Sequence, residues 1–273
     1  MKSAVNARLF RRSRRVVYTC LFGYSEALNA FPREPDDRID HICFTDDPDL
    51  RSDVWRVVCM PRTLLDPVRE AKRIKIRAHR FLADYDESLY IDNTVRLKKP
   101  ARVLFEQYID RSAAPLAMFR HPWRGCVYDE AQAVIDAGFD TADNVNAQMA
   151  FYRSAGHPVA AGLYTAAFLL RRHHDPSLVA LMETWFEQVV RYSYRDQLSF
   201  PVAVRLHGFR PMIIDSGFLA NDILEWPVVH GERLPRDFDD LRYLGLHPDV
   251  KEAGINPRRH FMETGRAEGR SYK

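Results

Sequence analysis

The sequence predicts an α/β fold of three layers, in which a largely parallel, Rossmann-like sheet lies between helices. Short apolar runs rich in β-branched and aromatic residues alternate with amphipathic segments of helical period, which is typical of such sheets. Several of these runs end in polar residues, and open α/β sheets bind ligands at the carboxyl ends of their strands. With 46% hydrophobic residues in 273, the chain can bury one large domain and an appendage.

The strand predictions rest on apolar runs that end in glycine or in acidic turn residues. VVYTCLFGY ends at Gly23 and Tyr24, and IDHICFT ends at the turn-rich sequence DDPD. SLYIDNTVRL contains a shorter run that ends at Asp92. We predict strands at 16–24, 39–45, 55–60, 88–97, 116–119 and 162–173, the last of them central in the sheet.

The helix predictions rest on capping residues and on apolar spacing. Asp66 can cap the first helix, and Pro67 suits its first position. The residues of this helix expected to face the core are Val68, Ala71, Ile74, Ala78 and Phe81. Further helices are predicted at 101–110, 127–137 and 142–155, from Pro176 onward, and after RDQLSF (195–200) as far as Gly208.

The first helix also carries two stripes of cations. One consists of Lys72, Lys75 and His79, and the other of Arg73, Arg77 and Arg80. A solvated helix face is one interpretation of these stripes. In the other, one or two of the cations bind a diphosphate, since lysine and arginine are the usual protein ligands of phosphate. Both interpretations stay open at this point.

Charge and cysteine usage restrict the class of protein. The formal net charge is only +3, so we expect no nucleic-acid partner. The basic start RLFRRSRR fits a solvated tail or a peripheral contact with an anionic membrane surface. No apolar run has the roughly 18–20 residues of a membrane span, and we recognise no signal peptide. The four scattered cysteines lack CxxC spacing and suit a reducing compartment. We therefore expect a cytoplasmic protein, at the inner membrane face if the tail binds lipid.

Asp92 is the strongest local candidate for chemistry. It ends a predicted strand in the sequence YIDNT, directly after the basic helix. A carboxylate in this position can hold Mg²⁺ or Mn²⁺ against a diphosphate, because these hard ions prefer oxygen ligands. Asp-Asn is also ordinary turn chemistry, so the pattern alone leaves both interpretations open.

Several motifs in order resemble a glycosyltransferase-like family that was formerly catalogued as a domain of unknown function. Its plant members are linked to mucilage and cell-wall polysaccharides, and its bacterial members are encoded with surface-polysaccharide genes. The resemblance implies a GT-A type fold and a transferase that uses a nucleotide-sugar donor. The matching motifs are YTCLFGY, HICFTDD, AKRIKIRAHRFL, SLYIDNTVRL, FRHPWRGCVYDEA, QMAFYRSAGHP, GLYTAAFLLRRH and RDQLSF.

The resemblance assigns donor-binding residues to the strand ends and to the basic helix. Gly23 and Tyr24 are implied to approach the nucleotide, and Thr45 and Asp46 to read the base. Arg73 and Lys75 are implied to lie near the ribose and the diphosphate. The sugar moved comes from a nucleotide-diphosphate donor such as a UDP-sugar.

The same resemblance places Asp92 at the first position of the GT-A metal motif. The third position is Thr94 rather than aspartate, so this chain departs from the full pattern. Either Asp92 holds Mn²⁺ or Mg²⁺, with His230 as a late second ligand, or the enzyme needs no metal and uses its basic helix. A surface-loop position is the alternative interpretation of His230.

The acceptor side and the catalytic carboxylate come from later motifs. His121 and Arg124 of RHPWR are the predicted acceptor-binding residues, and Glu130 is a second-choice base. Asp196 is the preferred catalytic carboxylate, either as a base for the acceptor hydroxyl or as a stabiliser of an oxocarbenium-like centre. A helix N-cap is the structural alternative for Asp196. Gln197 is a candidate contact to a sugar hydroxyl.

The chain divides into a basic tail (1–15), a GT-A-like domain (16–225), a linker (226–240) and a small helical module (241–273). The module resembles one appended to many bacterial glycosyltransferases, and we expect it to dock a partner or position the acceptor. The expected function is transfer of a sugar to a glycan or glycolipid acceptor in surface-polysaccharide synthesis. A catalytically lapsed scaffold, or a metal-dependent hydrolase that uses Asp92, His121 and His230, are the alternatives.

Overall fold

The computed structural model describes residues 13–23, 26–29, 39–229, 231, 234–235 and 237–273. Most of the basic tail, Tyr24 and His230 therefore lie outside the described residues. Within them, no helix is long and apolar enough to cross a membrane. The strands are β1 (Arg15–Leu21), β2 (Ile39–Thr45), β3 (Arg56–Cys59), β4 (Glu87–Ile91), β5 (Arg96–Leu97), β6 (Leu116–Arg120), β7 (Tyr164–Arg171), β8 (Met212–Ile213) and β9 (Leu224–Glu225).

A seven-stranded sheet with the order β3-β2-β1-β4-β7-β6-β8 forms the centre of the fold. Its strands run parallel except β7, which pairs antiparallel with both β4 and β6. The predicted largely parallel sheet with a central strand at 162–173 is thus confirmed, and that central strand is the one that runs in the opposite direction. Strands β5 and β9 form a separate two-stranded ribbon.

The helices surround this sheet in the order of the chain. They are α1 (Pro67–Ile76), α2 (Ala78–Phe81), α3 (Ala101–Phe105), α4 (Val127–Asp136), α5 (Ala142–Ser154), α6 (Pro176–Arg191), α7 (Asp196–Leu206), α8 (Asp240–Leu246), α9 (Pro248–Glu252) and α10 (Pro257–His260). Two π-helical turns, Glu106–Asp110 and Phe261–Gly265, continue α3 and α10.

Alternating side chains of the sheet fill two separate cores. Tyr18 of β1 packs on one face with residues of α1 and α6, such as Ile74 and Trp185. Val17, its neighbour along β1, packs on the other face with Leu104 of α3. Because side chains in a strand point to opposite faces in turn, a continuous apolar run covers both faces. The result is the predicted three-layer α/β/α, GT-A-like fold.

Three details differ from the sequence predictions. The predicted helix 66–81 is two helices, because α1 ends at its C-cap Arg77 and α2 follows it. Val68 is exposed rather than core-facing, since it lies in the first turn of α1, ahead of the residues that pack on the sheet. The predicted strand 88–97 is interrupted after Ile91, where the chain turns and the N–H of Val95 donates to the carbonyl of Asp92 at 2.8 Å.

The C-terminal helices enclose a small core of their own. Phe238, Tyr243, Val250 and Phe261 are buried together there. Upstream, Trp226 packs against the core around α3, and the N–H of Val228 donates to the carbonyl of Thr94 at 2.8 Å. The start of the predicted linker is therefore held against the sheet domain.

Candidate active site

The carboxyl ends of β2, β1 and β4 lie side by side, because these strands are parallel neighbours in the sheet. Asp92 directly follows β4, and its N–H donates to the carbonyl of Ala167 on β7 at 2.9 Å. This backbone bond fixes Asp92 at the edge where α/β sheets bind their ligands. Helix α1 packs on one face of the sheet and brings its lysines to the same edge.

Two lysines of α1 and two aspartates form what we call the lysine–aspartate cluster: Lys72, Lys75, Asp92 and Asp196. The Nζ of Lys75 lies 2.8 Å from Oδ2 of Asp196 and 3.2 Å from Oδ1 of Asp92. The Nζ of Lys72 lies 2.7 Å from the same Oδ2 of Asp196. The cluster joins a strand end, the middle of α1 and the first turn of α7.

Lys75 is almost fully enclosed, with 2% of its side chain exposed. Its ammonium lies 4.9 Å from the ring centroid of Tyr90, and the hydroxyl of Tyr90 donates to Oδ1 of Asp92 at 2.7 Å. The carbonyl of Lys75 accepts hydrogen bonds from Tyr18 at 2.7 Å and from Arg171 at 3.0 Å. Both the backbone and the ammonium of Lys75 are thereby fixed in place.

The charges of the cluster stabilise one another. Burial raises the pKa of Asp196, but Lys72 and Lys75 outweigh this effect and hold that pKa well below its ordinary value. Burial lowers the pKa of Lys75, but Asp196 and Asp92 outweigh it and the pKa ends above its ordinary value. For Lys72, burial prevails over the attraction of Asp196 and lowers the pKa. Asp196 is therefore a fixed negative charge rather than a group poised to take a proton.

The helix-capping interpretation of Asp196 is wrong. The N-cap position of α7 belongs to Arg195, and Asp196 is the first helical residue. Its carboxylate, 6% exposed, bonds the two lysines, while its carbonyl accepts a hydrogen bond from the indole of Trp185 at 2.9 Å. The position that the sequence offered for a cap is used instead to hold two ammonium groups.

The ends of β1 and β2 are joined by Asp46. Its Oδ1 accepts a hydrogen bond from the N–H of Gly23 at 2.9 Å, and its Oδ2 lies 3.1 Å from Nε of Arg62. Gly23 has φ +80, a conformation that favours glycine. Thr45 is buried, and its hydroxyl accepts from the N–H of Asp47 at 3.0 Å. These contacts shape the strand ends, and a role of Asp46 and Thr45 in reading a base stays a prediction.

Two predicted donor residues lie apart from the lysine–aspartate cluster in their contacts. Arg73 donates from Nε to the buried Glu70 at 2.8 Å and lies 4.8 Å from the ring centroid of Phe81. Gln197 accepts a hydrogen bond from Arg195 at 3.1 Å. Of the predicted diphosphate pair, the structure thus brings Lys75 to Asp92 and pairs Arg73 elsewhere on its own helix.

The predicted metal ligands are only partly described. Asp92 keeps 35% of its side chain exposed, whereas His230 lies outside the described residues. The amide of Asn93 is engaged by the loop after β1, because it accepts from the N–H of Asn29 at 2.8 Å and donates to the carbonyl of Ala27 at 2.8 Å. In the part of the chain that the structure describes, no group of three or more His, Cys, Asp or Glu residues is arranged to hold a metal ion.

The predicted acceptor residues form a second group, around Glu130 of α4. Its Oε2 accepts from Nε of Arg124 at 2.5 Å and lies 3.5 Å from Nε2 of His121. Nδ1 of His121 accepts from the N–H of Arg124 at 3.1 Å, so the ring proton belongs on Nε2, toward Glu130. Burial lowers the pKa of His121 against the influence of Glu130, with Arg124 and Arg195 acting in the same direction as burial.

An aromatic surface lies beside this group. Trp123 is 58% exposed, and its ring centroid lies 5.6 Å from that of His121 and 6.0 Å from that of Trp226. Large exposed aromatic groups of this kind are unusual outside binding sites. Sequence analysis missed Trp123 as a site residue although it stands inside RHPWR, and it missed Lys72 and Tyr90 because a cation stripe and a strand tyrosine are ordinary features.

Comparison with known proteins gives the family. Residues 36–214 match the family described as the TOD1/MUCI70, glycosyltransferase-like domain. The chain is 31% identical over 157 residues to the probable hexosyltransferase MUCI70 of Arabidopsis thaliana, a match that covers 54% of this chain but only 27% of the plant protein. Mouse xyloside xylosyltransferase 1 in its apo form aligns with a TM-score of 0.42 at 10% identity, over 74% of this chain and 85% of the mouse chain.

Proposed function

Because the chain belongs to the TOD1/MUCI70 glycosyltransferase-like family, we propose that it transfers a sugar from a nucleotide-diphosphate donor to a glycan or lipid-linked acceptor. The observation that carries this proposal is the lysine–aspartate cluster at the strand ends. Two ammonium groups held there by Asp92 and Asp196 suit a ligand that carries a diphosphate. The plant relative is named a probable hexosyltransferase, and a hexose is accordingly the first sugar to test.

Bond cleavage between the sugar and the diphosphate leaves negative charge on the departing nucleoside diphosphate. Preorganised positive groups at that position lower the barrier, since they need no reorganisation when the charge develops. Lys72 and Lys75 supply such groups, and Asp196 keeps both ammonium nitrogens within 2.8 Å of one carboxylate oxygen. We assign them to the leaving group.

The environment of Asp196 favours one of its two predicted catalytic roles. A general base works best with a pKa near the operating pH, whereas two lysines hold the pKa of Asp196 well below its ordinary value. Asp196 therefore acts in this proposal as a fixed charge that positions the lysines and can stabilise a positive centre. Proton abstraction from the acceptor hydroxyl is assigned to Glu130, beside a neutral His121.

The described residues fit a divalent cation poorly. Oδ1 of Asp92 already accepts from Tyr90 and lies 3.2 Å from Lys75, and Asp196 is paired with two lysines. We therefore route no step through Mn²⁺ or Mg²⁺ and propose that the lysines offset the charge of the diphosphate. Addition of Mn²⁺ is accordingly part of the test below.

We place the acceptor at the aromatic surface of Trp123 and Trp226. Pyranose rings present apolar C–H faces and polar edges, which suits an exposed indole beside charged groups. Arg124 and His121, one residue away on either side of the tryptophan and its preceding proline, supply hydrogen-bond donors at the edge of that surface. A role in surface-polysaccharide synthesis and contact of the basic tail with a membrane belong to the same proposal.

A binding screen followed by a turnover assay tests this function. UDP, GDP, ADP and CDP are added to the protein with and without Mn²⁺, and the unfolding temperature is recorded. A ligand at roughly 100 times its dissociation constant stabilises the native state by about 2.7 kcal/mol, which gives a clear shift. The nucleotide sugar of the diphosphate that binds is then incubated with the protein, and release of the free diphosphate is measured.

We expect one nucleoside diphosphate to bind without added metal and its sugar to be turned over. Binding without turnover of any hexose donor would favour the lapsed scaffold instead. Binding that requires Mn²⁺ would contradict the assignment of the charge-offsetting role to the lysines. If none of the four diphosphates binds, the proposed function is wrong.

A further inference from the structure

A cavity of about 340 Å³ lies between the ends of β1 and β2 and the C-terminal module, a size in the range of small-molecule sites. Leu21 and Thr45 line it from the two strand ends, and Leu50 lines it from the loop after β2. Met262 and Glu263, from the π-helical turn near the end of the chain, line it from the other side. The cavity is therefore built by residues more than two hundred positions apart in the sequence.

The module is anchored at this place by further contacts. Arg259 forms an ion pair with Asp49, which follows β2, and its Nε lies 3.2 Å from both carboxylate oxygens of Glu263. Arg258 approaches the end of β1, because a β-carbon at position 23 would lie 3.4 Å from its Nη1. Glycine at position 23 leaves room for this approach. The C-terminal module thus meets the same strand ends that carry the candidate active site.

The chemistry of the cavity differs from that of the lysine–aspartate cluster. Its described lining combines apolar groups with the carboxylates of Glu26, Asp47 and Glu263, and no lysine or arginine is among them. Such a lining repels phosphate and accepts hydrogen bonds from N–H and O–H groups. It suits the base and ribose of a nucleotide, and the flexible thioether of Met262 suits the face of a base.

The geometry fits one extended ligand. The cavity lies at the ends of β1 and β2, and the lysines lie at the end of β4, the neighbour of β1 on its other side. Neighbouring strands are about 4.8 Å apart, so a nucleoside in the cavity would hold its diphosphate within a few strand spacings of the lysines. Arg258 stands between them, beside Gly23.

We propose that the C-terminal module forms one wall of the donor site, with Met262 and Glu263 as residues that bind the nucleoside and determine which base is accepted. This inference rests on the proposed function, because it needs a nucleotide donor. It replaces the sequence-based expectation of a docking or acceptor-positioning module with a part of the donor site itself.

Calorimetric titration of two cavity variants tests the inference. The ligand is whichever of UDP, GDP, ADP and CDP binds the wild-type protein. Met262→Trp should fill the cavity, and Glu263→Gln should remove a charged acceptor while keeping the shape. Each is expected to weaken binding by about tenfold or more. Glu252→Gln removes the same charge from an exposed position on the same module and should bind like wild type.

The outcomes separate this inference from the proposed function. If no nucleoside diphosphate binds the wild-type protein, both are wrong. If wild type binds and both cavity variants bind within about twofold of it, a difference below about 0.4 kcal/mol, the module is not part of the donor site, although the proposed function stands. Should Met262→Trp fail to fold, Glu263→Gln against Glu252→Gln decides alone.

Discussion

The two ends of the α1–α2 segment both gather cations, but they do so in different ways. At one end, Lys72 and Lys75 share two aspartates from different parts of the fold, and Lys75 is 2% exposed. At the other end, Arg77, His79 and Arg80 converge on the single carboxylate of Glu183 in α6. We call this second group the Glu183 cluster. Arg80 in it is 52% exposed.

The difference lies in what each group joins. The Glu183 cluster ties one helix to another at distances of 2.7 to 2.8 Å, and its members face solvent in part. The lysine–aspartate cluster lies at the carboxyl ends of the strands, where a ligand can reach it. Stripes that look alike in the sequence thus serve packing at one end of the segment and, in our proposal, ligand binding at the other.

The largest predicted effect on stability comes from Lys75. Removal of one partner from a buried ion pair leaves an uncompensated charge and costs about 3–5 kcal/mol. Since Lys72 still pairs with Asp196, we expect Lys75→Met to lower the free energy of unfolding by about 3 kcal/mol, measured by urea denaturation. Arg80→Met is the matched control, with an expected loss below about 1 kcal/mol. Equal losses in the two variants would remove the contrast between the clusters.

Acid should act mainly through the end of the segment that carries the Glu183 cluster. His173 is buried, donates toward the carbonyl of Leu82 just after α2 at 3.1 Å, and burial lowers its pKa to about 3. Between that value and the ordinary pKa of about 6.5, the unfolded chain binds a proton that the native protein does not. Stability is therefore lost as the pH falls through this window.

We expect His173→Asn to lose less stability than wild type between pH 7 and pH 5, by about 2 kcal/mol. Urea denaturation at both pH values measures the difference. His207→Asn, at an exposed helix end, serves as the control and should follow wild type. A pH dependence of His173→Asn identical to that of wild type would refute the assignment.

The smallest predicted effect comes from Glu183. Partly exposed ion pairs contribute about 1 kcal/mol or less, so Glu183→Gln should lower the free energy of unfolding by no more than about that amount. Because the Glu183 cluster joins two helices and, in our account, contacts no ligand, nucleotide affinity should not change. A clear loss of nucleotide affinity in a folded Glu183→Gln protein would mean that this end of the segment also serves the site.

Local sequence patterns were enough for the strands and for the place of Asp92. The predicted strand 39–45 coincides with β2, because a continuous β-branched and aromatic run bounded by turn residues has few alternatives. Lys75 was correctly placed near Asp92, since the basic helix directly precedes the strand. Arg73 was expected beside it, but Glu70, three residues earlier, binds its guanidinium within the helix.

Contacts between distant segments left no local signal. The partnership of Lys72 and Lys75 with Asp196 spans more than one hundred residues, and the sequence offered Asp196 equally well as a helix cap. The approach of Arg259 to Asp49 spans 210 positions. A short module with its own small core gives no indication from its sequence of the surface on which it packs.

Titration of a nucleoside diphosphate into the Lys72→Met protein tests the central claim most directly, because Lys72 is the less buried lysine and Lys75 keeps Asp196 paired. Calorimetry is carried out with the nucleoside diphosphate that binds wild type and with the corresponding nucleoside, and Arg80→Met is the control. We expect Lys72→Met to weaken diphosphate binding by about 10- to 100-fold, as for a lost charge-assisted hydrogen bond, with nucleoside binding and Arg80→Met unchanged. Diphosphate affinity equal to that of wild type would contradict the claim that the lysine–aspartate cluster receives the diphosphate of the donor.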